Sequence, residues 1–150
     1  MKKSILTLLI TSLALGLGLG PARGADKTET DHLTQRAHEV NRAAKKPDMM
    51  KVALHDVSVE TGVPLDKVQA LHKRYSDEGI AGVLIAGALA DETKKSPEHF
   101  LDKHASGKSW TAIAREYKVP MEKINDRLDH LEKALTYQQQ NAEKPKRHKN

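Results

Sequence analysis

The sequence predicts an all-α domain, a small multi-helix bundle, and three observations carry that expectation. Only five aromatic residues occur in the chain: Tyr75, Phe100, Trp110, Tyr117 and Tyr137. A core must therefore be assembled from Leu, Ile, Val, Ala and Met, which suits packed helices better than a β-sandwich. From Leu33 onward, apolar residues recur at helical spacing. The run Ile80 to Ala90 carries no charge; it is too short to span a bilayer and the right length for a central helix buried on most sides.

Residues 1–24 read as a cleaved signal peptide. Lys2 and Lys3 supply a positive start, Ile5 to Leu19 an uncharged apolar run, and Gly20-Pro21 a break. Ala22 and Gly24 place small residues at −3 and −1 of a cut before Ala25. An uncleaved N-terminal anchor is the alternative. The brief Lys-rich start points to bacterial export, to the periplasm or beyond.

The helical domain is expected over residues 25–142. After a polar lead-in at 25–30, Leu33, Ala37, Val40 and Ala44 mark a one-faced first helix that Lys45-Lys46-Pro47 ends. Asp48 is placed to cap a second, with Met50, Ala53, Leu54 and Val57 inward and Gly62 as its stop. Pro64 opens a third, with Val68, Leu71, His72 and Tyr75 on one face and Gly79 at its end. In the apolar 80–90 helix, Gly82, Ala86 and Ala90 are spaced to let neighbouring backbones approach. Ser96-Pro97-Glu98 starts a short helix through Phe100 and Leu101 that stops at Gly107. Ser109 caps the next, holding Trp110, Ile113, Ala114 and Tyr117. The longest helix follows Val119-Pro120, with Ile124, Leu128, Leu131 and Leu135 in one stripe. Gln138 to Gln140 and the basic tail, 143–150, are expected to be frayed or disordered.

Three stretches align without gaps: Val57 to Val68, Leu89 to Phe100 and Ile113 to Ile124. Each begins and ends on an apolar residue, with a small residue second and Glu fourth. A turn and a carboxylate, at Asp66, Glu98 and Glu122, complete the pattern. This is a helix end, a tight turn and a helix start, so the bundle is expected to be three helix-turn-helix-like repeats around the 80–90 helix. Ser58, Ala90 and Ala114 are where helices would cross closely. The carboxylates fall in first turns, where the helix dipole favours negative charge.

The same spacing occurs in DNA-binding helix-turn-helix domains, and the third copy is the closest imitation. Against a nucleic-acid role, its second helix mixes Glu122, Asp126 and Asp129 with Lys123 and Arg127, which offers phosphates no clean basic face. Residues 25–142 hold 18 basic and 19 acidic residues, so the chain's formal +5 belongs to its two ends. Export would also remove the chain from the chromosome. Lys108, Lys118, Lys123 and Arg127 gathered on one exposed side would favour the reading.

The run from Glu78 to Ser96, continued by Ser106 to Glu116, resembles a family of small exported bacterial proteins. That family shares an apolar LLIA..LA helix, a TGKS turn and an SGKGWG.IAKE segment. The match covers about residues 75–128 and departs at Lys94, where the turn glycine is usual, and at Ser109 and Thr111. The resemblance implies export and helical architecture and carries over no catalytic residue.

Little chemistry is expected. With no cysteine, disulfides, thiolate catalysis and Cys-ligated metals are excluded, as is a lipid-modified cysteine anchor. His99 and His104, with Glu98 and Asp102, are the one metal-binding candidate, but their spacing is poor for a single helix face and no zincin motif is present. His55 and His72 are candidates for partial burial. Gly107-Lys108-Ser109 resembles the end of a phosphate loop, but Asp102 stands where that motif needs glycine, so it reads as a helix stop followed by a cap. No Gly-x-Ser-x-Gly elbow occurs. The acidic pairs Asp77-Glu78 and Asp91-Glu92 are expected in exposed turns, and Trp110 as core filler between helices.

No catalytic, cofactor-binding or metal-binding residue is therefore assigned. The expectation is an exported, non-enzymatic envelope protein with a structural or protein-interaction role. Its most distinctive surface would be the last helix and the basic tail. A helix-turn-helix nucleic-acid module and a metal-binding periplasmic protein are the alternatives. The tail's Lys144, Lys146, Arg147 and Lys149 suit weak, salt-sensitive contacts with anionic lipid headgroups, cell-wall polymers or extracellular nucleic acid.

Overall fold

A computed structural model describes residues 25–143; the expected leader and the tail beyond Glu143 lie outside the described residues. The chain is all-helical, a small multi-helix bundle of α1 (Ala25–Ala43), α2 (Pro47–Thr61), α3 (Leu65–Arg74), α4 (Gly79–Thr93), α5 (Pro97–Ala105), α6 (Trp110–Glu116) and α7 (Met121–Glu143). Among the described residues there is no strand, and no helix is long and apolar enough to cross a membrane.

Helix α4 is the centre of the bundle. Every residue from Ile80 to Ala90 is buried, and the helix packs against α1, α2, α3, α5 and α7. Helix α6 lies on α1 and α5, and α7 runs along α1, α2 and α4. The stripe of Ile124, Leu128, Leu131 and Leu135 on α7 is buried as its spacing requires. Phe100 and Trp110 are core residues, the latter as expected.

The local start and stop signals act largely where they stand. The Ser96 hydroxyl accepts from the His99 amide at 3.4 Å, and the Ser109 hydroxyl from the Ala112 amide at 3.2 Å, satisfying amides that helix starts leave free. Gly62 closes α2 in the left-handed region, φ 68°.

Several details differ from expectation. The polar lead-in is already helical from Ala25. Lys46, not Asp48, precedes α2, because Pro47 fits the first helical position and Asp48 then falls in the first turn. The inward face of α2 consequently uses Met49, Ala53, Val57 and Thr61, while Met50 and Leu54 are half-buried. Gly79 begins α4 rather than ending α3, whose last residue is Arg74. The α7 helix continues through Gln138 to Gln140, its last turns lining a concavity with Lys46, Pro47, Asp48 and Met49 at the α1–α2 corner.

The three aligned stretches share one backbone feature. Their sixth residues, Gly62, Lys94 and Lys118, are all left-handed, at φ 68°, 59° and 57°. Their first residues, Val57, Leu89 and Ile113, and their last, Val68, Phe100 and Ile124, are all buried. Asp66, Glu98 and Glu122 occupy first helical turns. Lysine in this region is strained by its Cβ, which glycine lacks. Lys94→Gly and Lys118→Gly are each expected to raise the unfolding free energy by about 0.5–1 kcal/mol, net of glycine's greater freedom when unfolded. Urea denaturation followed by circular dichroism measures both. A loss of stability in either variant would show that its side chain compensates for the strain.

Candidate functional site

The polar side chains converge at the corner where α3 ends, α4 starts and α5 passes. The turn after Arg74 is held by the Tyr75 amide on Leu71 O and the Glu78 amide on Tyr75 O. It delivers Tyr75 and Glu78 to the side of α5. The Tyr75 hydroxyl donates to Asp102 Oδ1 at 2.6 Å, and the Arg74 guanidinium lies 5.2 Å from the centre of the Tyr75 ring. Glu78 Oε2 lies 2.6 Å from His104 Nδ1, without hydrogen-bond alignment. The imidazole stacks face to face on Trp110, centroids 4.2 Å apart and planes 7° from parallel. Glu78 is thus a half-buried link between helices, its side chain only 13% exposed, and not the open turn residue its sequence position suggests.

An open cleft beside this pair is lined by Arg74, Ser76, Asp77, Glu78 and His104. A carboxylate beside an imidazole is a general-base arrangement in outline. The hydroxyl that would complete it, Ser76, is exposed and is not hydrogen-bonded to His104. The geometry does link the start of α4 through His104 of α5 to Trp110 of α6.

His99, one turn earlier on α5, faces away into a separate group. Its Nε2 is 2.5 Å from the Tyr117 hydroxyl, and the two rings with Phe100 form an edge-to-face cluster. Lys103 caps the Tyr117 ring at 5.5 Å and pairs with Glu116 at 2.9 Å; Lys108 also pairs with Glu116. The two ammonium groups hold the Glu116 carboxyl below its ordinary range, and Glu116 raises Lys103. Glu98 turns instead to Lys67 on α3, at 3.3 Å. The four sequence candidates for a metal, His99, His104, Glu98 and Asp102, therefore take four different partners. No group of three potential ligands gathers among the described residues.

The α2–α7 seam carries a third polar cluster, which sequence inspection passed over. His130 Nδ1 is 3.2 Å from Glu60, and Arg127 donates to the Glu60 carbonyl and to Asp91 Oδ2 at 2.7 Å. Lys123 reaches Glu92 at 2.6 Å. Asp56, nearby on α2, has its carboxyl raised by burial and by Glu60, partly offset by His130 and His55. The mixing of Lys123 and Arg127 with Glu122, Asp126 and Asp129 along α7 was the signal in the sequence for these links. Gly107, at φ 96°, and Ser109 act as helix stop and cap, with Lys108 committed to Glu116.

His55 is exposed, contrary to expectation, whereas His72 is half-buried with Nδ1 unpartnered, and burial lowers its pKa. Because folding depresses this value, its contribution to stability is complete above the unfolded value of about 6.5 and is lost as pH falls through the folded value. His72→Leu is therefore expected to show less acid destabilisation than wild type below pH ~6.5. Urea midpoints across pH test this; parallel curves would remove His72 as a source.

No known protein family, curated protein or solved structure matches the chain.

Proposed function

We propose that this chain is an exported, non-enzymatic envelope protein with a structural or protein-interaction role. The observation that carries the non-enzymatic part is the commitment of its chemically capable side chains to helix-to-helix links. Tyr75 is tied to Asp102, Glu78 lies against His104, His99 is tied to Tyr117, and Glu116 holds two lysines. Export rests on the charged start, apolar run and small-residue cut of residues 1–24, and on the resemblance to small exported bacterial proteins.

The nucleic-acid alternative draws less support. Of the four cations it needs, Lys108 pairs with Glu116, Lys123 with Glu92 and Arg127 with Asp91. The α7 helix itself is packed on three neighbours. The metal alternative would need His99 and His104 to leave their separate aromatic partners.

Fractionation of the native host with intact-mass analysis tests the reading. A periplasmic or secreted species starting at Ala25 is expected. A full-length species in the soluble cytoplasm would overturn export and make the helix-turn-helix reading the one to pursue.

A further inference from the structure

One histidine is set differently from the others among the described residues. His38, His55 and His130 are exposed, the last at 54% even where it meets Glu60. His99 meets the Tyr117 hydroxyl and the Phe100 ring, and His72 has no partner for Nδ1. His104 combines a carboxylate 2.6 Å from Nδ1, an indole stacked on its ring face and a side chain only 29% exposed. It stands in the last turn of α5, where the helix dipole is negative, and it lines the open cleft, so protons reach it from solvent. Glu78 is anchored by its own backbone, whose carbonyl accepts from Asn41 Nδ2 and from the Gly82 amide in the first turn of α4.

We propose that His104 is a pH-sensitive clasp: on protonation its ring becomes a cation held between the Glu78 carboxylate and the Trp110 indole, and the joint of α4, α5 and α6 tightens. Nδ1 is buried and makes no aligned hydrogen bond although the carboxylate is so near. A nitrogen and an oxygen at that distance repel unless a proton lies between them. An imidazolium supplies a charge-assisted bond to Glu78 and adds a cation–π attraction to the indole on which it already lies. Both gains arise in place, since the ring is already stacked. The other charged groups on these elements are largely committed elsewhere. Asp102 accepts from Tyr75, Lys103 and Lys108 pair with Glu116, and Arg115 has a partner of its own. Arg74 and Asp77, which also line the cleft, carry opposite charges. The clasp belongs to the bundle itself and is independent of where the protein resides.

Trp110 is the only tryptophan of the chain, so its emission reports on this joint. A stacked imidazolium quenches an excited indole by accepting an electron, which a neutral imidazole does poorly. Emission of the full chain is expected to fall as pH is lowered from about 8 to about 5.5, across the range where histidines change charge, and to stay level in His104→Gln. Level emission in the wild type, or the same fall in His104→Gln, would overturn the proposal. A double-mutant cycle of Glu78→Gln and His104→Gln, read by urea denaturation, measures the tightening, and the contribution of His72 cancels within it. The coupling is expected to favour the folded state about fivefold more at pH ~5.5 than at pH ~8. Equal coupling at both values would overturn the clasp. Proton NMR of the unmodified chain needs no variant to fold: the ring resonances of His104 and Trp110 are expected to shift over one common titration, and separate titrations would refute the proposal.

Discussion

Gly79→Ala is expected to lower the unfolding free energy by about 3 kcal/mol, and the melting temperature by about 10 °C. Two costs combine. Gly79 sits at φ 65°, where a Cβ is strained by about 1–2 kcal/mol. That Cβ would also stand 2.5 Å from Asn41 Cγ. Asn41, on α1, caps the start of α4 from outside: its Oδ1 accepts from the Ala81 amide at 2.9 Å, and its Nδ2 donates to the Glu78 carbonyl at 3.2 Å. Displacing the side chain releases both bonds, a loss of about 1–2 kcal/mol. The check is a double-mutant cycle with Asn41→Ala, read by urea denaturation. The strain should persist in the Asn41→Ala background and the collision should not, so the double variant is expected to be more stable than additivity predicts by about 1 kcal/mol. Strict additivity would show that the two residues do not meet.

Gly87→Ala sets two effects against each other. In the interior of α4, alanine is the better helix former by about 1 kcal/mol. Its Cβ, however, would lie 2.6 Å from Thr61 Cγ2 and 2.8 Å from Thr61 Cβ. Thr61 cannot swing aside easily, because it is β-branched, buried and hydrogen-bonded through Oγ1 to the Val57 carbonyl at 2.6 Å. Its Cβ moves only with the α2 backbone, so the two helices must separate. Overpacking wins, with a net loss of about 2 kcal/mol. Thr61→Ala in the Gly87→Ala background is expected to return part of this, since it removes Cγ2 and leaves Cβ in place. A Gly87→Ala protein as stable as wild type would refute the close α2–α4 approach.

These two glycines also mark where sequence reading stopped. Gly82, Ala86 and Ala90 share a face by spacing, which suggested them as the close-approach stripe. An added Cβ at Gly82 would meet Glu78, just before α4 itself, whereas at Gly79 and Gly87 it would meet Asn41 of α1 and Thr61 of α2. Spacing reveals which residues share a face, but not which neighbour comes nearest. At the polar corner, His104, Glu78 and Trp110 were each visible as residue types. Their meeting joins the end of α5 to the start of α4 and of α6, and no local pattern records it.

The sequence by itself determined the helical class, the buried α4 and the points where most helices begin and end. Proline, capping serine and turn glycine act on amides and carbonyls within about four residues, so their effects are local and written in order along the chain. Tertiary structure alone decided the start of α4, which is capped by a residue 40 positions away from Ala81. It also decided which cations are neutralised. Arg127 and Lys123 find carboxylates on α4 that are separated from them by 36 and 31 residues. Arg42, Lys45 and Lys46, exposed at the end of α1 and in the α1–α2 turn, make no ion pair among the described residues.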